Sequence, residues 1–348
     1  MSQPIKTGVC SFGHSGSVFH APFLHVNPGF EFTAIVERSK DLARKIYPYV
    51  KVYRSIEELM ADETLELIVV NTPNTTHYSY TKMALEAGKN VVVEKPFTVT
   101  VAEGHELIEL AKSKNLMISV YQNRRYDSDY KMIKQVVQQG LLGDILEVEF
   151  HYDRFKEELS HKKHKEVAQK GTGVLYDLGS HIIDQALSLF GMPQAVFGDV
   201  RMIRNNSVID DYFELLLYYP NMRARIKSSY LVREALPAYI LHGRKGSFIK
   251  HKADIQETLL LKGLMPVGED WGAESPHEWG LLHTEIDGQI VKEYLPSGKG
   301  NYMEYYQGVY EHLREGKLNP VPPEEGLNVI KIIEAGFLSS ETRHVVEL

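Results

Sequence analysis

The chain has 348 residues, with 39 Lys and Arg against 46 Asp and Glu for a net charge of −7, and is 43% apolar and 24% charged. That length suits two domains of ordinary size, and the composition is that of a folded globular chain rather than a disordered one. The acidic balance lacks the basic excess that phosphate-backbone binding needs, so no nucleic-acid partner is expected.

The single cysteine, Cys10, leaves no intrachain disulfide and no multi-cysteine zinc site, which suits a reducing cytosol. The first residues, MSQPIKTGVCSFGHSG, hold no long apolar signal segment, and no run approaches the ~18 apolar residues of a membrane span. A cytoplasmic protein with no membrane partner is expected.

Ile5–Phe12 reads as a strand, Ser15–Val26 as a helix and Phe32–Val36 as a short strand. Ser39–Ile46 and Ser55–Ala61 read as helices, each with serine at its N-cap. Leu65–Val70 is a strand, Thr75–Ala87 a helix stopped by Gly88, and Val91–Val93 a buried strand. Val101–Lys114 then reads as a helix and Leu116–Val120 as a strand. Uniformly apolar strands separated by helices predict a doubly wound, Rossmann-like parallel sheet over residues 1–122.

The rhythm then changes. Asp129–Gln139 reads as a helix ending at Gly140, Leu146–Tyr152 alternates as an antiparallel strand does, and Leu178–Phe190 is an apolar helix. Val196–Ile203, Tyr212–Tyr219, Ala224–Leu231, Tyr239–His242 and Ser247–Lys250 are β runs separated by turns. Residues 263–280, rich in Gly, Pro and acid, read as a long loop, a length that is often functional. Helices near Met303–Arg314 and Glu324–Ser340 close the chain. Residues 123–348 therefore predict an α+β domain with an open, mostly antiparallel sheet.

Strand 1 leads into Ser11-Phe12-Gly13-His14-Ser15-Gly16. The dinucleotide fingerprint G-x-G-x-x-G needs its second glycine for backbone approach to the pyrophosphate and its third for close packing of helix on strand. Gly13 and Gly16 hold those places, while Ser11 stands at the first. Glu37, 21 residues beyond Gly16, falls where an acidic ribose ligand is expected and favours the free 2′-hydroxyl of NAD. Arg38, Ser39 and Lys40 follow at once and suit the 2′-phosphate of NADP. The choice between the two cofactors stays open.

Glu94-Lys95-Pro96 follows the strand Val91–Val93, at the end of an α/β sheet where ligands sit. Later, Asp177, His181, Asp184 and Ser188 are spaced i, i+4, i+7, i+11, one stripe of a helix. Such a stripe is most often a solvated face. This one holds two carboxylates and a histidine with no Lys or Arg, and an Asp four residues from a His can orient it as a general base.

These residues together resemble the Gfo/Idh/MocA oxidoreductases, the relatives of glucose–fructose oxidoreductase and inositol dehydrogenase. The resemblance covers nearly the whole chain. Residues 8–22 look like the family's nucleotide turn, with Phe12, Gly13, His14, Ser15 and Gly16 at the cofactor and Ser11 as the departure. Residues 69–77, VVNTPNTTH, look like a second cofactor motif, implying cofactor contacts for Asn71, Thr72, Pro73, Asn74 and His77. Residues 94–96 match the EKP signature, and 121–127, YQNRRYD, are similar to the segment that crosses between domains. The signature D-x-G-x-H-x-x-D is matched by residues 177–184. The look is that of the branch holding NADP-dependent scyllo-inositol dehydrogenases.

The resemblance implies an NAD(P)-dependent dehydrogenase that moves a hydride between the nicotinamide and a hydroxyl or carbonyl of a polyol, inositol or sugar. His181 would be the general base, Lys95 would hydrogen-bond the reacting oxygen and the nicotinamide region, and Asp177 would bind a neighbouring hydroxyl. Glu37, Arg38, Glu94, Lys95 and Asn123 are expected at the cofactor, and Arg125, Tyr152, Asp177 and His181 at the substrate. A homodimer or homotetramer is implied.

Two other readings compete: an NAD(P)-binding sensor without catalysis, against which the set Lys95, Asp177 and His181 stands, and an NAD-dependent glycosidase of the same fold. No metal is expected, since His161 and His164 lie in a charged loop with few carboxylates. Cys10 reads as a small buried residue of strand 1.

Overall fold

The computed structural model describes residues 3–160 and 166–348. They form two compact units, Met1–Tyr126 with Ile255–Trp271 and Asn301–Leu327, and Asp127–Asp254 with Gly272–Gly300 and Asn328–Leu348. The first unit is therefore discontinuous in sequence.

From the N-terminus, β1 (Ile5–Val9) leads into a helical run over 14–26, ending as α1 (Ala21–Val26). β2 (Phe30–Val36), α2 (Leu42–Ile46), β3 (Lys51–Tyr53), α3 (Ile56–Met60) and β4 (Leu67–Val70) follow. α4 (His77–Glu86), β5 (Asn90–Glu94), α5 (Val101–Lys114) and β6 (Ile118–Tyr121) complete the first sheet. Its order is β3-β2-β1-β4-β5-β6 with every pair parallel. This is the doubly wound arrangement expected, and its order reverses at β1/β4, the crevice where such sheets bind nucleotides. β4 is buried along its whole length, as a strand covered on both faces must be.

Local chemistry explains the helix ends. Ser55 accepts the Glu58 N–H at the start of α3, and Thr100 with Glu103 forms a reciprocal capping box on α5. Two expectations fail here. The run predicted as one α-helix over 15–26 contains a π-helical turn at Gly16–His20. The helix predicted from Ser39 begins only at Leu42, because Glu37 rather than Ser39 supplies the oxygens for its first N–H groups.

The second unit opens with α6 (Ser128–Gln138) and β7 (Ile145–His151), then a π-helical turn at Leu175–Gly179 continued by α7 (Ser180–Phe190). β8 (Ala195–Arg201), β9 (Tyr212–Tyr218), β10 (Arg223–Ser229), β11 (Tyr239–Gly243) and β12 (Gly246–Lys250) follow. After α8 (Gln256–Leu261), in the first unit, come β13 (Gly280–Ile286) and β14 (Gln289–Leu295). α9 (Met303–Glu315), α10 (Pro323–Thr342) and β15 (Val346–Glu347) end the chain.

The nine-stranded sheet runs β14-β13-β12-β11-β7-β10-β9-β8-β15. It is mostly antiparallel, as expected. β7, however, pairs antiparallel only with β11 and is parallel to β10. The loop predicted over 263–280 ends at β13, whose hairpin with β14 was not foreseen.

Candidate active site

The crossover from β1 to the following helix is held by small residues. A Cβ on Gly16 would stand 1.9 Å from the Ser11 carbonyl oxygen and 2.8 Å from Asn71 Nδ2. No side chain fits there without moving backbone, the role the third fingerprint glycine has. Gly13 is exposed, and a Cβ there would meet only Ser11 Oγ, at 3.3 Å. Ser11, at the usual first-glycine position, accepts the Gly13 N–H on its hydroxyl at 3.1 Å, so the departure from the fingerprint braces the turn. Phe12 makes an edge contact with Tyr47, and His14 stands edge-on to Phe19.

Asn71, at the end of β4, donates from Nδ2 to the Ser11 carbonyl at 2.8 Å. Its Oδ1 is buried and has no hydrogen-bond partner. An acceptor left so costs about 1–3 kcal/mol, which a donor in the crevice would recover. An open backbone at Gly13 and an unsatisfied acceptor at Asn71 fit a dinucleotide at this turn.

Other predicted cofactor residues serve the scaffold. The Glu37 carboxylate accepts the Leu42 N–H at 3.0 Å and the Ala43 N–H at 2.8 Å, and the side chain is buried. It is thus turned onto the start of α2, while Arg38, Ser39 and Lys40, also expected at the cofactor's ribose, are exposed. Thr72 Oγ1 lies 2.6 Å from Thr76 Oγ1, whose hydroxyl donates to the Pro73 carbonyl at 2.7 Å, fixing the turn that carries Asn74. His77 is fully buried, with Nδ1 2.8 Å from the Pro96 carbonyl and Nε2 2.9 Å from the Thr72 carbonyl. Burial pushes its pKa down. It pins the loop after β4 to the loop after β5 and presents no ring nitrogen to a ligand.

Glu94 closes β5. Its carboxylate accepts Ser15 Oγ, lies 3.0 Å from His20 Nε2 and accepts the Lys95 N–H at 3.2 Å. Burial pushes its pKa up, but the His20 bond and charge, the Ser15 hydroxyl and the Lys95 charge together hold it down to about 2. The nucleotide turn and the strand end bearing Lys95 are thereby tied to one carboxylate. Lys95 itself is half-buried. Asn123 is buried, and the Arg125 guanidinium is 2.5 Å from Glu325, so this arginine is ion-paired within its unit.

In the second unit, Asp177 lies in the π turn and His181 in the first turn of α7. The backbone beneath is fixed by Asp210, which accepts the Leu175 N–H at 2.8 Å, and Gly173 (φ +95°) leaves room for that carboxylate. Burial raises Asp210 to about 6. The predicted polar stripe is not a water-facing one: His181 is 6% exposed and Asp184 1%, and only Ser188 lies open. The π turn also breaks the 100° register that aligned Asp177 with Asp184. Tyr152 stands with its ring centroid 6.2 Å from that of His181. The structure thus brings Asp177, His181 and Tyr152 to one region of this unit.

Sequence reading missed His20, fully buried between Glu94 and the Tyr306 hydroxyl at 2.6 Å, and Arg124, buried against Tyr302 and Glu257. No spacing rule marks either, because their partners lie 74–286 residues away. Among the described residues, no group of three or more His, Cys, Asp or Glu could hold a metal ion. His161 and His164 lie outside the described residues. Cys10 is buried, and burial pushes its thiol well up. No described helix is long and apolar enough to cross a membrane.

Two family models match the chain: an oxidoreductase-family NAD-binding Rossmann fold over residues 5–122 and an oxidoreductase-family C-terminal alpha/beta domain over residues 134–348. The scyllo-inositol 2-dehydrogenase (NADP(+)) IolW of Bacillus subtilis is 40% identical over 99% of this chain and 96% of its own length. A trans-1,2-dihydrobenzene-1,2-diol dehydrogenase of Macaca fascicularis is 30% identical over 62% of this chain and 65% of its own. A solved oxidoreductase structure from Bacteroides fragilis is 49% identical, with a TM-score of 0.92 over 99% of this chain and 100% of that one. One from Bacillus cereus is 33% identical, with a TM-score of 0.91 over 99% and 98%. The chain belongs to the Gfo/Idh/MocA family and is an NAD(P)-dependent oxidoreductase.

Proposed function

We propose that this Gfo/Idh/MocA oxidoreductase oxidises a secondary hydroxyl of a polyol, inositol or sugar, or reduces the corresponding carbonyl. The observation that carries the reading is the placement of Asp177 and His181 on a turn tied to Asp210 at the head of α7, with His181 sheltered from bulk water beside Tyr152.

When bound, the nicotinamide cofactor supplies the hydride acceptor; the organic chemistry of that step belongs to it. Gly13, Asn71 and the residues of the β1 crossover would hold it. His181 takes the proton of the substrate hydroxyl, a contribution on the order of 10²–10⁴-fold. Lys95 neutralises charge on the oxygen as alkoxide develops, a role kept for preorganised donors. Asp177 accepts from a neighbouring hydroxyl and favours the protonated imidazole once the proton has moved. In this reading the cofactor domain is 1–122 and the substrate domain 123–348.

NADP is the favoured cofactor in this reading. With its carboxylate engaged at α2, Glu37 offers less repulsion to a 2′-phosphate, and exposed Arg38 and Lys40 supply cations for one. A cytoplasmic homo-oligomer completes the proposal; exposed Ile290 and Tyr294 on β14 suit a covered face. The test is a screen of inositols, aldoses and small carbonyl compounds with both cofactors, followed at the absorbance of reduced nicotinamide. Turnover that releases reduced cofactor supports a dehydrogenase. Sugar hydrolysis without its release would favour the glycosidase alternative, and binding with no turnover the sensor.

A further inference from the structure

Beside the proposed base, two cations address the ring of Tyr152. Lys252 Nζ stands 5.5 Å from its centroid and the Arg154 guanidinium 5.3 Å. Their surroundings differ. Lys252 is matched by Asp127 at 2.6 Å and Asp129 at 3.3 Å, both fully buried carboxylates. Arg154 is exposed, and among the described residues no carboxylate lies within ion-pair distance of it. Asp177 acts on it through its charge. By contrast Arg204, in the same unit, is buried against both Asp211 and Glu166.

The backbone carrying Arg154 is held by hydrogen bonds on both sides. Tyr152 N–H donates to the Lys227 carbonyl at 3.0 Å, Arg154 N–H to Ser229 at 2.9 Å and Lys156 N–H to Tyr230 at 2.7 Å. The Val232 N–H returns to the Arg154 carbonyl at 3.0 Å, and Asp153 accepts the Ser229 N–H at 2.9 Å. A guanidinium on such a frame, within cation–π reach of an aromatic ring, is preorganised for a planar two-oxygen anion. A neutral polyol would leave this cation without a carboxylate at ion-pair distance.

From this geometry we infer that Arg154 is a specificity residue that binds a carboxylate on the substrate, so that the preferred substrate is a sugar acid and not a neutral polyol. The inference rests on the proposed oxidation of a substrate hydroxyl beside His181, and it narrows the substrate class of that same site.

The test compares matched pairs that differ only in CH2OH against carboxylate: D-glucitol with D-gluconate, and D-glucose with D-glucuronate. The acid member of at least one pair should show kcat/KM higher by about tenfold or more, the size of one charge-assisted contact. Arg154→Gln should abolish that preference while leaving the neutral member within about twofold, and Arg154→Lys should restore part of it. A parent enzyme that favours the neutral members, or an Arg154→Gln variant that lowers both members equally, overturns the inference while leaving the oxidation reading intact. Calorimetry of gluconate against glucitol on the same proteins separates the remaining case. Arg154-dependent gluconate binding without turnover supports the anion site and refutes the oxidation reading; no gluconate binding and no turnover refutes both.

Discussion

Replacing Gly13 and Gly16 in turn by alanine separates ligand approach from chain packing. At position 13 the new methyl would meet only the Ser11 hydroxyl at 3.3 Å, and its φ lies outside the left-handed region, so the fold can accept it. Gly→Ala at a compatible site stabilises by about 0.4–1 kcal/mol through the unfolded chain. At position 16 the methyl would lie 1.9 Å from a backbone oxygen. Relief requires a shift of more than an ångström in the β1 crossover and disturbs the Asn71 bond to the same oxygen, an overpacking cost of about 1–3 kcal/mol. Gly13→Ala should therefore keep or slightly raise the urea midpoint, whereas Gly16→Ala should lower it. Cofactor binding should follow the opposite logic. In the proposed binding mode the Gly13 methyl would stand where the pyrophosphate approaches, so calorimetric affinity for NADP should fall about 10–100-fold, the worth of one charge-assisted hydrogen bond. Unchanged affinity in Gly13→Ala would remove the pyrophosphate from this turn, and a fully stable Gly16→Ala would show that the close approach to Ser11 is not a constraint.

His181→Ala should leave cofactor affinity within about twofold and reduce turnover by about 10²–10⁴-fold, as single-turnover kinetics would show; a near-normal rate would reject it as the base. Arg38→Ala should weaken NADP more than NAD in paired titrations, and equal loss for both would mean that no 2′-phosphate contact exists. Glu37→Ala should lower stability by about 0.5–2 kcal/mol in denaturant titrations because α2 loses two N–H acceptors, and an unaltered midpoint would contradict that role. Asp254 is raised to about 7 by burial, reinforced by Asp127 and Asp129. A carboxyl with a raised folded pKa contributes stability fully below its ordinary value near 3.8 and loses it as pH climbs to about 7. Asp254→Asn should therefore flatten the dependence of Tm on pH between about 4 and 7 and raise Tm at pH 8; a parallel curve would refute the assignment.

Apolar β4 and β5, the capped α3 and α5 and the glycine turn were legible because each rests on local signals: run length, cap residues, spacing. Other site residues have partners that the local pattern does not announce. Glu37 sits where a ribose ligand belongs by count, yet the N–H groups five and six residues on claim both its oxygens. Arg125, expected at the substrate, is paired with Glu325, 200 residues away. The β13–β14 hairpin was hidden because β14 is largely exposed, so its QIVKEYL sequence lacks an apolar face to announce it. β3 has only three residues, too few for a periodic pattern. The π turn before α7 leaves no mark in residue type, though it decides where Asp177 points.

The return of Ile255–Trp271 and Asn301–Leu327 to the first unit bears on how such a chain can be cut or recombined. Tyr302, Tyr305, Tyr306 and Val309 are fully buried among the residues of the first sheet, with the Tyr306 ring stacked on Phe23 and bonded to His20. A fragment ending at residue 122 would shed this aromatic wall, expose Phe23, Phe30 and Tyr121, and leave His20 with one of its two partners. Exchange of cofactor modules between relatives would accordingly have to carry three separate stretches of gene at once. A single crossover would instead yield a chimera whose nucleotide module arrives with its aromatic wall belonging to another parent.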